Sequence, residues 1–160
     1  MKTIDIEIAV MKYCNIRQNI IVPNISWGIV DRGGCLHEID ICVLTKSNYA
    51  TEIEIKTSKA DLIADKKKLH GHYHRLIKYL YFAVPEELKE IALIEIPIRA
   101  GLYVIKEYKG ENHVLKIRPA SVNRNAVPWT DHQRQKLSEL GTMRILGLKQ
   151  KISSSLKRIA

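Results

Sequence analysis

An α/β fold is predicted for this chain, in the order helix, three strands, helix, strand, followed by a hairpin and a long C-terminal helix. Three observations carry that reading. Ile4, Ile8 and Met11 recur at helical spacing near the start, residues 36–57 alternate apolar and polar side chains around a central turn, and residues 79–84 form a nearly continuous apolar run. Alternation suits strands with one polar face, whereas an unbroken apolar run suits a strand covered on both sides.

Each element has its own local warrant. Thr3 is a cap for a first helix that should end near Tyr13 or Cys14, with Asp5 in its opening turn. Residues 20–22 begin a short strand, halted or kinked at Pro23 because proline donates no backbone hydrogen bond. Residues 27–30 are a continuation of it, and 31–34, Asp-Arg-Gly-Gly, a turn. Residues 36–45 and 49–57 form a hairpin through 46–48. Ser58 with Asp61 three residues on opens a second helix reaching about Leu69, where Gly71 interrupts it and a further helical stretch is expected over 74–78. Pro85-Glu-Glu opens a brief helix to about Ala92. Residues 102–108 and 113–118 pair around 109–112. Thr130 and Gln133 form a capping box at the head of a last helix that Gly141 and Gly147 divide into two pieces. The division that follows is a core domain over 1–120 and a C-terminal helical extension over 121–160 packed on the same domain.

The composition bounds the partners. Of 160 residues, 26 are Lys or Arg and 17 are Asp or Glu, a formal net charge of +9 that favours polyanions, nucleic acid above all. No apolar run is long enough to span a bilayer, so a membrane role is not expected. The first residues carry acids where a signal peptide needs an uninterrupted apolar stretch. Cys14, Cys35 and Cys42 are an odd set without a CxxC pair, as in a reducing compartment, so a cytoplasmic location is expected.

The chemistry concentrates on the predicted hairpin. Side chains at i and i+2 of a strand share a face, so Glu54 and Lys56 project together while Ile53 and Ile55 face the core. Asp40 stands apart from Ile39 and Ile41 in the same way. Two carboxylates and an ammonium on one polar face suit a divalent cation and a phosphodiester substrate. The competing reading is plain cross-strand ion pairing, which amphipathic strands offer cheaply.

Asp on the second strand, Glu-x-Lys on the third, and the element order resemble the PD-(D/E)XK nuclease superfamily, over roughly the first two-thirds of the chain. The nearest likeness is to small resolvase-type and DNA-repair nucleases, including archaeal Holliday-junction resolvases and the MmcB-like group. The resemblance implies a restriction-endonuclease-like αβββαβ core, a central mixed sheet flanked by helices. It implies a catalytic set of Glu7, Asp40, Glu54 and Lys56, with Glu7 on the first helix. The superfamily's proline before the Asp is replaced here by Ile39. Mg²⁺, with Mn²⁺ as a substitute, would be held by Asp40, Glu54 and the Ile55 carbonyl, with Glu7 acting through a bound water. Lys56 would orient the attacking water and neutralise the transition state. The products would carry 5′-phosphate and 3′-hydroxyl ends. Glu38 and Glu52 share faces with Asp40 and Glu54; the latter pair is preferred because the lysine lies two residues beyond the ligating acid, leaving Glu52 a surface or outer acid.

After Lys56 comes a basic segment whose Lys59, Lys66, Lys67, Lys68, Arg75 and Lys78 are candidate phosphate contacts. DNA, duplex or branched, is the expected partner. His70, His72 and His74 straddle a glycine with no Cys or acid at matching spacing, so they read as surface or backbone-contacting residues, not as a zinc site. Tyr73, Trp27 and Trp129 read as packing residues. The C-terminal helix, with Leu137, Leu140, Ile145, Leu148, Ile152 and Leu156, packs on the core or forms a homodimer contact. The function expected is a metal-dependent DNA endonuclease in repair, recombination or phage-type processing. Its alternative is a non-catalytic nucleic-acid-binding module of the same fold.

Overall fold

A computed structural model describes residues 1–65 and 72–159, the last two by backbone alone. Four α-helices, α1 (Thr3–Tyr13), α2 (Lys59–Asp65), α3 (Lys89–Glu95) and α4 (Asp131–Ile159), surround eight strands. These are β1 (Ile20–Ile25), β2 (Val30–Asp31), β3 (Gly34–Cys35), β4 (Ile39–Leu44), β5 (Ala50–Ile55), β6 (Ile77–Pro85), β7 (Gly101–Tyr108) and β8 (Glu111–Arg118). Six of them form one mixed sheet in the order β1-β4-β5-β6-β7-β8, and β2 with β3 makes a separate ribbon. Neighbours are antiparallel except β5–β6 and β6–β7, which are parallel and joined through α2 and α3 respectively. The α/β class expected from the pattern is the one observed.

Pairing parity decides which face each side chain serves. Ile41, Val43, Ile53, Ile55, Tyr81, Ala83, Tyr103 and Ile105 pack with Ile6, Ala9 and Val10 of α1 on one side of the sheet. The other side carries two clusters. Cys42, Leu44, Leu76 and Ile77 pack with Trp129, Leu137 and Leu140, and Leu80, Phe82 and Val84 pack with Leu62, Ala92 and Ile96. The acids of β4 and β5 lie on this second side, in the parity of Cys42 and Phe82.

Several local expectations are revised. Pro23 does not halt β1, because β1 is an edge strand and a missing donor is tolerated there. Lys2, not Thr3, caps α1: its backbone N–H donates to Asp5 at 3.0 Å. Residues 27–30 do not prolong β1; Arg32 and Gly33, both with positive φ, close the small β2–β3 ribbon instead. No helix forms over 74–78. The carbonyls of His74 and Ile77 accept from the Asn123 side chain at 3.2 and 2.9 Å, and that of Leu76 accepts from the Trp129 indole at 2.8 Å. Those bonds fix a turn at residues 75–76, closed by the Ile77 N–H donating to the His74 carbonyl at 3.0 Å, that leads into β6.

The last helix is one piece. Thr130 and Gln133 exchange reciprocal bonds, Thr130 N–H to Gln133 Oε1 at 2.9 Å and Gln133 N–H to Thr130 Oγ1 at 3.2 Å, satisfying two N-terminal donors. Gly141 does not break α4, since a single helical glycine costs only about 1 kcal/mol against alanine. It serves a close approach to β1: a Cβ there would lie 3.3 Å from Val22. Trp129 is fully buried as expected, whereas Trp27 is half exposed with Lys136 near its ring.

Trp129 joins the connector, the start of β6 and α4 in one contact set. Trp129→Ala is expected to destabilise the chain by roughly 3–5 kcal/mol, read as a lowered midpoint in urea denaturation.

Candidate functional site

The register Ile41 to Ile53 and Cys42 to Glu52, carried one residue further, sets Asp40 across from Glu54 on the same face. The Asp40 carboxylate accepts the Ile55 backbone N–H at 2.8 Å. Beyond the end of β5, Lys56 continues the parallel ladder by donating its backbone N–H to the Ala83 carbonyl at 3.0 Å. Glu52, Glu54 and Lys56 are almost sealed from solvent, with 0, 1 and 4 % exposure. Charges so buried persist only when paired.

Their partners come from α2 and the segment after it. Ser58 Oγ caps α2 by accepting the Asp61 N–H at 3.1 Å, which starts the helix over the end of β5. One turn later Asp65 reaches the lysine. Lys56 Nζ donates to Glu54 Oε2 at 3.1 Å and lies 2.8 Å from Asp65 Oδ1, with the exposed Asp61 at 3.9 Å. His72, buried and in a left-handed backbone conformation, bridges two acids. Its Nδ1 is 2.5 Å from Glu52 Oε1 and its Nε2 is 2.7 Å from Asp65 Oδ2. His37 Nε2 meets the same Glu52 oxygen at 2.9 Å. Phe82 stands edge-on to the His72 ring at 5.8 Å and closes the apolar side.

The electrostatics follow from these bonds. Burial draws the His72 pKa down, but the carboxylates of Asp65 and Glu52 outweigh it and lift the value to about 9. Burial pushes Asp65 up, and the bonds to His72 and Lys56 overcome it and hold the carboxyl well below its usual range. Glu52 is likewise lowered, its two histidine bonds prevailing over burial. Neighbouring Cys42 is pushed up by burial and then by Glu52, which leaves it an inert thiol.

Three of the four expected catalytic residues, Asp40, Glu54 and Lys56, share this face. Glu7 belongs to α1, which packs on the opposite face, and its Oε2 accepts from Asn24 at 3.3 Å, not from any group of the hairpin trio. Asn24 adjoins Ile25, the partner of Ile39, so Glu7 lies toward the end of the sheet where β4 begins, one residue before Asp40. Burial raises its pKa against the lowering effect of Asn24. The expected cationic contacts divide. Lys59 is exposed beside the site, Arg75 lies 3.4 Å from Asp31, and Lys78 sits 3.6 Å over the Tyr49 ring. Lys66, Lys67 and Lys68, and with them His70, lie outside the described residues.

Two expectations about the neighbours are corrected. Glu52 is no surface acid but the most buried carboxylate of the group, because α2 and the turn at His72 cover that part of β5. His72 is no surface histidine, since it fills the space between Glu52 and Asp65. Asp65 had a sequence signal in its i, i+4 spacing from Asp61 on the helix that follows Lys56. His72 and His37 had none, as they reach the site through tertiary contact alone.

The sign of the pH dependence follows from the shifts. The contribution of His72 is complete below about pH 6.5 and is lost as pH rises through about 9; that of Asp65 is complete above about pH 3.8 and is lost as pH falls toward its lowered pKa. Urea midpoints are therefore expected to decline between about pH 6.5 and 9, and Asp65→Asn is expected to flatten that decline.

No protein-family model matches the chain, and no curated protein matches it. Among solved structures it is similar to the SPO1766 protein of unknown function from Silicibacter pomeroyi, with a TM-score of 0.65 and 19% identity over 93% of this chain and 92% of that one. At that identity the likeness shows the fold alone.

Proposed function

We propose that this chain is a metal-dependent DNA endonuclease of the PD-(D/E)XK type. The observation that carries the reading is the cross-strand meeting of Asp40 and Glu54 with Lys56 two residues on, held against Glu54 at 3.1 Å on a buried hairpin face. The donor set is oxygen only, which fits Mg²⁺ or Mn²⁺. Asp40, Glu54 and the Ile55 carbonyl would hold the ion; Glu7, carried by α1 on the opposite face and bonded to Asn24, is not counted among its ligands. Magnesium, when bound, supplies a coordinated water of lowered pKa and charge stabilisation on the phosphoryl oxygens. Lys56 orients the nucleophile and offsets the charge that develops on the phosphate. Asp65 pairs with Lys56 at 2.8 Å and holds it in place. The surplus of +9 and the exposed Lys59 draw the polyanionic backbone to the face. In this reading the substrate is duplex or branched DNA, met in the cytoplasm during repair, recombination or phage-type processing.

One observation favours a second reading. Lys56 and His72 already pair with Glu52, Glu54 and Asp65 without any added ion, as in a nucleic-acid-binding module that keeps the fold and does not cut.

Incubation of the purified chain with branched, duplex and single-stranded DNA separates the two. Cleavage that needs Mg²⁺ or Mn²⁺ and stops on chelation is expected. Asp40→Asn and Lys56→Met should each lower its rate by roughly 10²–10³-fold, with DNA affinity retained. Binding without cleavage under both metals would favour the second reading.

The outer half of α4 exposes Met143, Ile145, Leu146, Leu148, Ile152 and Leu156. In the endonuclease reading two copies pair along this row and present two sites to two strands. Sedimentation equilibrium should find a dimer that Ile152→Glu converts to a monomer.

A further inference from the structure

We propose a second metal site, distinct from the magnesium position, in which His37 Nε2, a carboxylate oxygen of Glu52 and His72 Nδ1 bind zinc. The three side chains come from the segment before β4, from β5 and from the turn before β6. Their ligand atoms all lie within 4.8 Å of one another. Both ring nitrogens converge on one oxygen, Glu52 Oε1, at 2.9 and 2.5 Å. Zinc bonds to nitrogen and oxygen are about 2.0–2.2 Å, so tetrahedral ligands stand roughly 3.3 Å apart. The two nitrogen-to-oxygen spacings need to open by less than about 1 Å to admit the ion.

Two independent observations point to a ligand here. Glu52 is fully buried, and its Oε2 has no hydrogen-bond partner, a rare condition for a carboxylate oxygen sealed from water. A cation bound by this carboxylate would add a partner to the two imidazoles that already meet Oε1. His72 also has the outer support of a metal-bound histidine: Nε2 is tied to Asp65 at 2.7 Å, which fixes the ring and leaves Nδ1 as the coordinating atom. Asp65 is anchored in turn by Lys56 at 2.8 Å.

The neighbouring trio Glu54, Asp65 and His72 is equally compact. It is the poorer site, because the Lys56 ammonium already fills the space between Glu54 and Asp65. Two imidazoles and one carboxylate favour zinc over magnesium, which prefers oxygen. Binding replaces the proton that Nδ1 shares with Glu52 and leaves the Nε2–H on Asp65. The fourth ligand is a water arriving past His37, whose side chain is 10 % exposed.

The test is calorimetric titration of Zn²⁺ into the chelator-stripped full chain, with Co²⁺ absorption as an independent readout of coordination. One Zn²⁺ per chain is expected, and Co²⁺ should give the visible bands of a four-coordinate site. His37→Gln, at the edge of the cluster, should weaken Zn²⁺ binding by about tenfold or more, and Asp65→Asn by roughly 10–100-fold. Asp40→Asn should leave Zn²⁺ affinity within about twofold, since Asp40 is not a ligand of this site. Circular dichroism of His37→Gln checks that the fold is intact. Absence of Zn²⁺ binding, equal affinity in a folded His37→Gln, or a greater loss in Asp40→Asn than in His37→Gln would each overturn the proposal. Zinc binding without DNA cleavage would sink the endonuclease reading alone, and cleavage without zinc binding would sink this one alone.

Discussion

A lysine ammonium shut away from water between two carboxylates is the constraint around which this molecule is arranged. Lys56, at 4 % exposure, is paired with Glu54 and Asp65, because a charge shut away from water persists when an opposite charge stands beside it. The pair is therefore held only if α2 lies over the end of β5. That in turn requires the Ser58 cap to turn the chain directly after the strand. The chain of contacts continues through Asp65 to His72, Glu52 and His37, so one charge network ties β5, α2 and the segments that precede β4 and β6. Removing one member strands its partners in a low-dielectric setting, which is more severe than losing a surface ion pair.

The sheet makes such a network affordable by dividing labour between its faces. On the α1 side, apolar side chains from β4 to β7 form a dry layer that includes the stacked rings of Tyr81 and Tyr103. On the other side, apolar clusters flank the charged group, one built on Trp129 and one on Phe82. The acids thus project from a strand whose backbone is bonded on both edges, between β4 and β6. Side chains on such a strand have little room to drift, which suits a site whose distances must be kept.

Much of this was legible in the sequence because it rests on local rules. Period-two alternation identified β4 and β5 and the side of the sheet on which Asp40, Glu54 and Lys56 stand. The apolar run of β6 and the reciprocal cap at Thr130 and Gln133 were equally local signals. The failures lie where tertiary contact overrode local pattern. Residues 74–78 carry a helical-looking composition, yet Asn123 and Trp129, some fifty positions away, take the carbonyls that a helix would use. Gly141 looks like a helix breaker until Val22 is seen against it. His72 is polar and sits in a polar stretch, and nothing nearby in the chain announces that Glu52 and Asp65 will close around it.

The left-handed backbone at His72, with φ of +54°, narrows what that position can hold. Glycine and asparagine accept the turn readily but cannot span from Glu52 to Asp65 with two opposed donors. Arginine and lysine carry the charge, yet their flexible stems do not hold a planar ring against Phe82. Only an imidazole meets the geometric and the electrical demand together. Drift in the sequence should therefore pass through neighbouring positions while this one letter stays fixed, and any change in it should be accompanied by changes in both acids.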